Sequence, residues 1–413
     1  MASLNDGFFP EVWFVSWHNY LDQSNGASIS TRSLLLALRK HGWNVETFCG
    51  SSFDNKPIND LSCLDAITGT SLLDVRKFQR EIPFSLSKVD DNSIQSMIFL
   101  PDEGTLQDGN GTKALTISKE FLSVFRAKLK VHAPDVIITY GGAVCGDKIL
   151  AIAHEFGVKT VVLLQNFSYF SLEYFKHADL VIVPSAYSQM VYRKRLGLSS
   201  IAISPLIDEG PFKQCLPYSF SSRPYVLFVN PSPNKGVPWF AGISREMRRV
   251  RPDIHFLVVE GSSGASLLCN PEWDLPAQGT IFYASNTRFP ENFYAQARLI
   301  IVPSFFDESF ARVVAEAMFS GTPVIASDRG ALPETVGDAG QTLSIPSKYT
   351  PHHFNLPTSE EVAPWTNSIE YLWDHEDVCL EWSRKGFERA NSKWRKEIVL
   401  NQYINAFLDL IRK

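Results

Sequence analysis

Short apolar runs alternate with stretches of helical period along most of this chain, and turn-forming residues separate them. Residues 11–17 are apolar enough for a buried strand; the loop HNYLDQSNGAS follows, and residues 31–40 place Leu34, Leu35 and Leu38 on one helix face. Gly42 ends that helix and residues 43–48 predict a second strand. The rhythm returns at 117: helix 118–131, strand 136–139, helix 148–156, strand 159–164 and strand 180–183. Strands are predicted again at 225–229, 255–259, 280–283, 299–302 and 324–326, with a helix over 310–320. Helices at 360–373, 378–391 and 396–412 close the chain, the last amphipathic through Val399, Tyr403, Phe407 and Leu410. Strand and helix in alternation predict an α/β fold, doubly wound around parallel sheets. Residues 51–115 show little period and many Asp, Asn, Ser and Gly, and read as irregular surface structure. Asp90-Asp91 lies there in a polar stretch with no strand predicted before it, so it is not read as a metal site.

Length sets the domain count. A chain of 413 residues predicts two to three domains, and the aperiodic Pro- and Ser-rich stretch 205–223 marks a linker between two. Hydrophobic residues at 45% and aromatic ones at 12% supply a large core. A net charge of −5 excludes a protein dominated by contacts to nucleic-acid phosphates. The six cysteines have no short paired spacing, so they read as reduced thiols of a cytosolic protein, neither a disulfide framework nor a zinc site. The N-terminus lacks a signal-peptide pattern and no apolar run reaches about 18 residues, which predicts a soluble, cytoplasmic chain. Arg245, Arg248, Arg249 and Arg251 gather near a helix end; a solvated face is the default reading, and a peripheral membrane or acidic-partner patch the alternative.

The chemistry concentrates between 299 and 340. An apolar strand ends at Pro303-Ser304, a polar turn leads into a helix, and Gly321 and Pro323 lead to the next strand. Loops at the carboxyl ends of strands are where open α/β sheets bind ligands. The amides of Phe310, Ala311, Arg312 and Val313 fall at the predicted helix start and suit an anion such as a diphosphate. Glu308 precedes them and Glu316 lies about 9 Å further along the axis. That spacing suits a nucleotide-sugar, with Glu316 accepting from a ribose diol and Glu308 from sugar hydroxyls. A dipole partner and a solvated face are the plainer reading of two acids at a helix start.

Pro303, Ser304, Glu308, Glu316, Ala317, Met318, Gly321, Pro323, Ser327, Gly330, Pro333 and Glu334 stand in one register. This stretch resembles the donor-site signature of the retaining family 4 glycosyltransferases, the glycosyl transferases of group 1. The resemblance implies a GT-B fold, two Rossmann-like domains facing across a cleft. Residues 1–205 would bind the acceptor, with helix 396–413 packing back on them, and 206–395 would bind the donor. It implies a catalytic pair, Glu308 orienting the sugar and Lys235 gripping the diphosphate. Donor contacts would come from Glu316, Gly26, Asn230, Gly236 and the stretch Ser309, Phe310, Ala311, Arg312 and Val313. Asn230 stands where the family has an arginine, and Ala27 after Gly26 where a glycine pair is common. On the acceptor side, Tyr140 and Asn166 stand at the places where family members have a histidine, and His18 is a candidate replacement.

The implied reaction transfers a hexose with retention and needs no metal or other cofactor. UDP-glucose is the expected donor type, GDP-mannose the next, and the acceptor a saccharide, a lipid-linked sugar or a small molecule. The alternatives are a GT-B phosphorylase or epimerase, or a non-catalytic nucleotide-sugar-binding partner in a glycan assembly complex. A dinucleotide oxidoreductase is disfavoured, since no G-x-G-x-x-G follows the first strand.

Overall fold

The computed structural model describes residues 9–413 except 24, 54–69, 79–82, 102–110, 141–144, 214, 215, 217, 218, 262, 274, 276–278 and 288, with backbone only for 111–116. The chain divides into two units. The first is Met1–Pro184, Gln189–Leu206 and Leu400–Lys413; the second is Ser185–Ser188 and Ile207–Val399.

In the first unit the elements run β1 (Glu11–His18), α1 (Gly26–Lys40), β2 (Asn44–Ser52), β3 (Thr70–Phe78), β4 (Phe84–Asp91), β5 (Ile94–Pro101), α2 (Gly111–Val131), β6 (Val136–Tyr140), α3 (Gly146–Glu155), β7 (Lys159–Leu163), β8 (Leu180–Val183), α4 (Ala186–Leu196) and β9 (Ile201–Ala202). The sheet order is β3-β4-β5-β2-β1-β6-β7-β8-β9. Pairing is parallel except at β3/β4 and β4/β5. The central strands are covered on both faces, which is why β1 and β6 read as unbroken apolar runs.

The meander β3–β5 corrects the expectation of irregular structure at 51–115. Its strands escaped notice because polar residues occupy inward positions. Ser87, Asp91 and Ser96 are buried, which blurs the period-2 signal. Asp91 is held by protein groups. It pairs with Arg32, whose Nε and Nη2 lie 3.0 and 2.6 Å from its two oxygens, and it accepts from the Tyr20 hydroxyl at 3.1 Å. Those donors take the place of the water that a carboxylate buried this deeply gives up.

The second unit runs α5 (Gly210–Lys213), β10 (Tyr225–Val229), α6 (Val237–Val250), β11 (His255–Val259), β12 (Ile281–Ala284), α7 (Glu291–Tyr294), β13 (Ala297–Val302), α8 (Arg312–Phe319), β14 (Val324–Ser327), α9 (Leu332–Val336), β15 (Gln341–Leu343), α10 (Ser359–Asp374), α11 (Glu376–Lys393) and α12 (Lys396–Ile411). Its sheet is all parallel in the order β12-β11-β10-β13-β14-β15. Aromatic side chains fill its core: Phe228 stacks on Phe240 at 4.5 Å, and Trp239 meets Tyr349 edge-on at 4.9 Å. From Leu400 onward α12 belongs to the first unit, where Phe407 lies 6.0 Å from Trp43.

Both sheets reverse their winding at one place, β1/β6 in the first and β10/β13 in the second. Ligands of doubly wound sheets bind outside the carboxyl ends of the strands at such a switch. Among the described residues no helix is long and apolar enough to cross a membrane. Cys49, Cys145, Cys269 and Cys379 are free thiols; Cys63 and Cys215 lie outside the described residues.

Candidate functional site

At the switch of the second sheet, β10 ends at Val229 and β13 at Val302, and their loops bring Lys235 and Glu308 together. Lys235 Nζ donates to Glu308 Oε1 at 2.6 Å, and the Ser304 hydroxyl donates to the same oxygen at 2.6 Å. Glu308 is almost fully buried and Lys235 three-quarters buried, so the attraction acts with little water between them. The Lys235 ammonium also lies 5.0 Å from the Phe306 ring centroid.

Backbone geometry fixes this pair. Gly236 follows Lys235 with φ +76°, and a Cβ built there would stand 1.9 Å from the Pro303 carbonyl oxygen. Only glycine permits both the left-handed turn and that approach. Gly330, at φ +63°, lies against the Glu308 backbone, where a Cβ would come within 2.3 Å of its nitrogen. The two residues form a parallel bridge, and Ala331 N donates to Glu308 O at 2.7 Å. The glycines thus clamp the two segments that carry the charged pair.

Glu316 lies one turn inside α8 with both oxygens held. Tyr294 donates its hydroxyl to Oε2 at 2.9 Å, and Arg312 Nη2 lies 3.0 Å from Oε1. Burial, then the neighbouring Glu316 charge, raises the Tyr294 hydroxyl well above its ordinary pKa, so it stays a donor.

The helix begins at Arg312, two residues later than its periodicity predicted. Phe310 and Ala311 therefore precede it, and Ala311 takes a left-handed conformation at φ +68°. The carbonyl of Phe310 accepts from Thr335 Oγ1 at 2.6 Å and that of Ser309 from Ser188 Oγ at 3.1 Å, which hold the turn. Arg312 and Val313 occupy the first turn of α8. Asn230 is left-handed as well, at φ +61°, and its Oδ1 accepts from the Ser263 amide at 3.2 Å. Its side-chain oxygen thus engages the loop after β11.

Gly26, His18, Tyr140 and Asn166 lie in the first unit. A cavity of about 290 Å³ there is lined by His18, Trp17, Asn25, Tyr140, Asn166 and Tyr169, among others. It sits at the β1/β6 switch, since His18 ends β1 and Tyr140 ends β6. His18 Nε2 lies 3.3 Å from the buried Asp22 carboxylate. Tyr140 donates to the Ala27 carbonyl at 3.1 Å, and burial raises its hydroxyl's pKa far above the ordinary range. Gly26 is the first residue of α1, whose amides at Ala27 and Ser28 are capped by Asn25 Oδ1. Asn166 is exposed and accepts from the Ser168 amide. The glycines at 141 and 142 lie outside the described residues.

Among the described residues no cluster of three His, Cys, Asp or Glu is placed to hold a metal. Two of the four arginines near the end of α6 are paired with acids. Arg249 pairs with Glu246, and Arg251 with both Asp253 and Asp374. Sequence reasoning assigned no role to Tyr294, Ser304 or the Arg312 side chain. Ser304 was in the signature. Tyr294 ends a four-residue helix with no periodic signal at all.

Comparison with solved structures defines the class of fold. Sucrose-phosphate synthase from Thermosynechococcus elongatus superposes with a TM-score of 0.68 at 17% identity, covering 98% of this chain and 99% of that one. Anabaena HepE in complex with UDP-glucose gives 0.65 at 14% identity, covering 97% and 100%. The architecture is GT-B, with two Rossmann-like domains. Sequence then narrows it: residues 223–354 match the family model described as Glycosyl transferases group 1. The segment that matches holds Lys235, Glu308 and Glu316. Lipopolysaccharide 1,2-N-acetylglucosaminetransferase of Salmonella typhimurium is 28% identical over 186 residues, 40% of this chain and 49% of that protein. D-inositol 3-phosphate glycosyltransferase of Segniliparus rotundus is 35% identical over 126 residues, 28% of this chain and 27% of that protein. The chain thus spans half or less of the length of these curated relatives.

Proposed function

We propose that this protein is a glycosyltransferase that moves a hexose from a nucleoside-diphosphate sugar, of the UDP-glucose type, to a saccharide, lipid-linked or small-molecule acceptor. The observation that carries the reading is the Lys235–Glu308 pair at the β10/β13 switch, inside the group 1 segment, with Glu316 one turn into the following helix. Solved relatives of this fold hold UDP, UDP with glucose, or ADP with acarbose, which supports a sugar nucleotide as ligand. In our scheme the donor's diphosphate lies at the start of α8 against Lys235, where positive charge stabilises the departing group. Glu316 receives the ribose and Glu308 orients the transferred sugar.

We further propose transfer with retention and without a metal. Attack comes from the face the diphosphate leaves, and the departing phosphate takes the acceptor's proton. No protein base is then required on the acceptor side, which accords with Tyr140 and Asn166 standing where a histidine was sought. The acceptor belongs in the first unit's cavity beside His18. One observation favours a second reading, a non-catalytic sugar-nucleotide-binding partner: the Asn230 side chain is tied to the Ser263 loop and brings no charge to the site.

Calorimetric titration with UDP, GDP, ADP and their sugar conjugates, followed by assay of nucleotide release with and without cell extract as acceptor, tests both. Binding with release establishes the transferase. Binding without release under any acceptor establishes the partner, and absence of binding refutes the site.

A further inference from the structure

The 300–340 segment holds two cations, Arg312 and Arg329. Arg329 is turned to another loop, where its Nη2 donates to the carbonyls of Ile345 and Pro346 at 2.9 and 3.2 Å. Arg312 is mostly buried at the first position of α8, beside Glu316.

As a stabilising pair this arrangement is poorly ordered. Helical ion pairs favour the acid on the N-terminal side, because the helix dipole is positive at that end. Here the cation comes first, in a first turn that holds no acidic residue. The helix dipole disfavours a guanidinium at this end, and the Glu316 pair is in the weaker order. An anion arriving at that end would explain the placement.

The charge balance points the same way. Lys235 shares its charge with Glu308 at 2.6 Å, Arg312 shares its own with Glu316 at 3.0 Å, and Asn230 is neutral. A departing nucleoside diphosphate carries more negative charge than one shared ammonium balances. A guanidinium presents five N–H donors in a planar fork, so it can hold a carboxylate and a phosphate oxygen together.

We infer that Arg312 is a diphosphate-binding residue: its guanidinium bridges Glu316 and the donor's phosphates, and so couples the ribose contact to the phosphate contact. This rests on the sugar-nucleotide reading of the site. It assigns Arg312 a side-chain role beyond the backbone amide named above.

The test is calorimetry on the whole protein with UDP and with uridine, for wild type, Arg312→Leu and Arg312→Lys. GDP with guanosine, or ADP with adenosine, serves if wild type prefers that base. Arg312→Leu should weaken the diphosphate roughly ten- to hundredfold, the range of one charge-assisted hydrogen bond, and leave the nucleoside unchanged. Arg312→Lys should recover most of the loss. An equal loss for both ligands would show that Arg312 merely holds Glu316 for the ribose, and no loss would remove it from the site; either result overturns the inference. Wild type failing to bind any of the three diphosphates overturns the sugar-nucleotide reading itself, a distinct outcome. Should Arg312→Leu fail to fold, Arg312→Gln keeps a donor toward Glu316 without the charge and carries the same comparison.

Discussion

Lys235 Nζ and Glu308 Oε1 stand 2.6 Å apart, although 73 residues separate them in the chain. The contact joins the loops after β10 and β13, the two strands at which the second sheet reverses its winding. It therefore stores the charges that a departing diphosphate and a transferred sugar would divide between them. Under the proposed scheme, a donor phosphate would compete with Glu308 for the ammonium.

That competition makes the two residues separable by experiment. Lys235→Ala should lower turnover by about a hundred- to a thousandfold, the usual cost of one preorganised charge at a developing anion. Glu308→Gln should also lower turnover, yet hold or tighten nucleotide affinity, because Lys235 no longer shares its charge with a carboxylate. Steady-state kinetics beside calorimetry reads both. A Glu308→Gln variant that lost nucleotide affinity and kept its turnover would reverse the assignment.

Gly236 and Gly197 offer a matched comparison, since both have positive φ, +76° and +67°. No atom lies within 4 Å of a Cβ at Gly197, so Gly197→Ala should cost only the left-handed penalty of about 1–2 kcal/mol. Gly236→Ala adds a collision with the Pro303 carbonyl, which must move and carry the β13 loop with it. Its melting temperature should fall further, and nucleotide affinity should fall with it, whereas Gly197→Ala should leave affinity untouched. Equal effects at the two sites would deny that the Gly236–Pro303 approach shapes the pocket.

Glu316 depends on Tyr294 for one of its two oxygens. Tyr294→Phe should cost about 1–3 kcal/mol of stability, because a buried carboxylate oxygen loses its donor. Glu316→Ala should weaken nucleotide binding by about 1–3 kcal/mol. Unchanged nucleotide affinity in Glu316→Ala would falsify the ribose assignment.

These contacts show where sequence pattern carries information and where it stops. The strands β1, β6, β10 and β13 were legible because central parallel strands are apolar on both faces. The register of Glu308, Glu316, Gly321, Gly330 and Glu334 was legible through its resemblance to a family signature, and for Gly330 the structure supplies the reason, a close approach to the Glu308 backbone at positive φ. The meander β3–β5 was hidden by a buried polar network, in which Asp91 and Ser96 occupy core positions through bonds to Arg32, Tyr20 and Thr47. Helix α4 was hidden because AYSQMVYRKRL has no apolar stripe. The start of α8 was placed two residues early, since period alone does not show that Ala311 is left-handed. The Lys235–Glu308 and Tyr294–Glu316 bonds are products of tertiary structure, and no local pattern encodes either.

Acid should loosen the second unit through Glu361. This residue closes the capping box of α10: Thr358 Oγ1 accepts from its amide, and its carboxylate accepts from the Thr358 amide. The same carboxylate takes Lys348 and the Tyr349 hydroxyl. Burial pushes its pKa up, but the hydrogen bonds from Lys348, Tyr349 and Thr358 outweigh burial and bring it from 4.5 to about 2. A carboxyl depressed on folding adds stability that is fully present above its unfolded value, near 4.5, and is lost as pH falls through about 2. Glu361→Gln removes the charge and nearly keeps the shape. Wild type should therefore melt above Glu361→Gln at pH 6, with the gap narrowing below pH 4.5 and closing near pH 2. Tyr349 also packs against Trp239 and Phe305, and Phe305 N donates to the Asn234 carbonyl in the Lys235 loop. Yet the Lys235–Glu308 contact and the α8 start do not involve Glu361. Nucleotide affinity of Glu361→Gln at pH 7 should match wild type, and a gap in melting temperature that stayed constant from pH 6 to pH 2 would show the carboxylate to be uncoupled from folding.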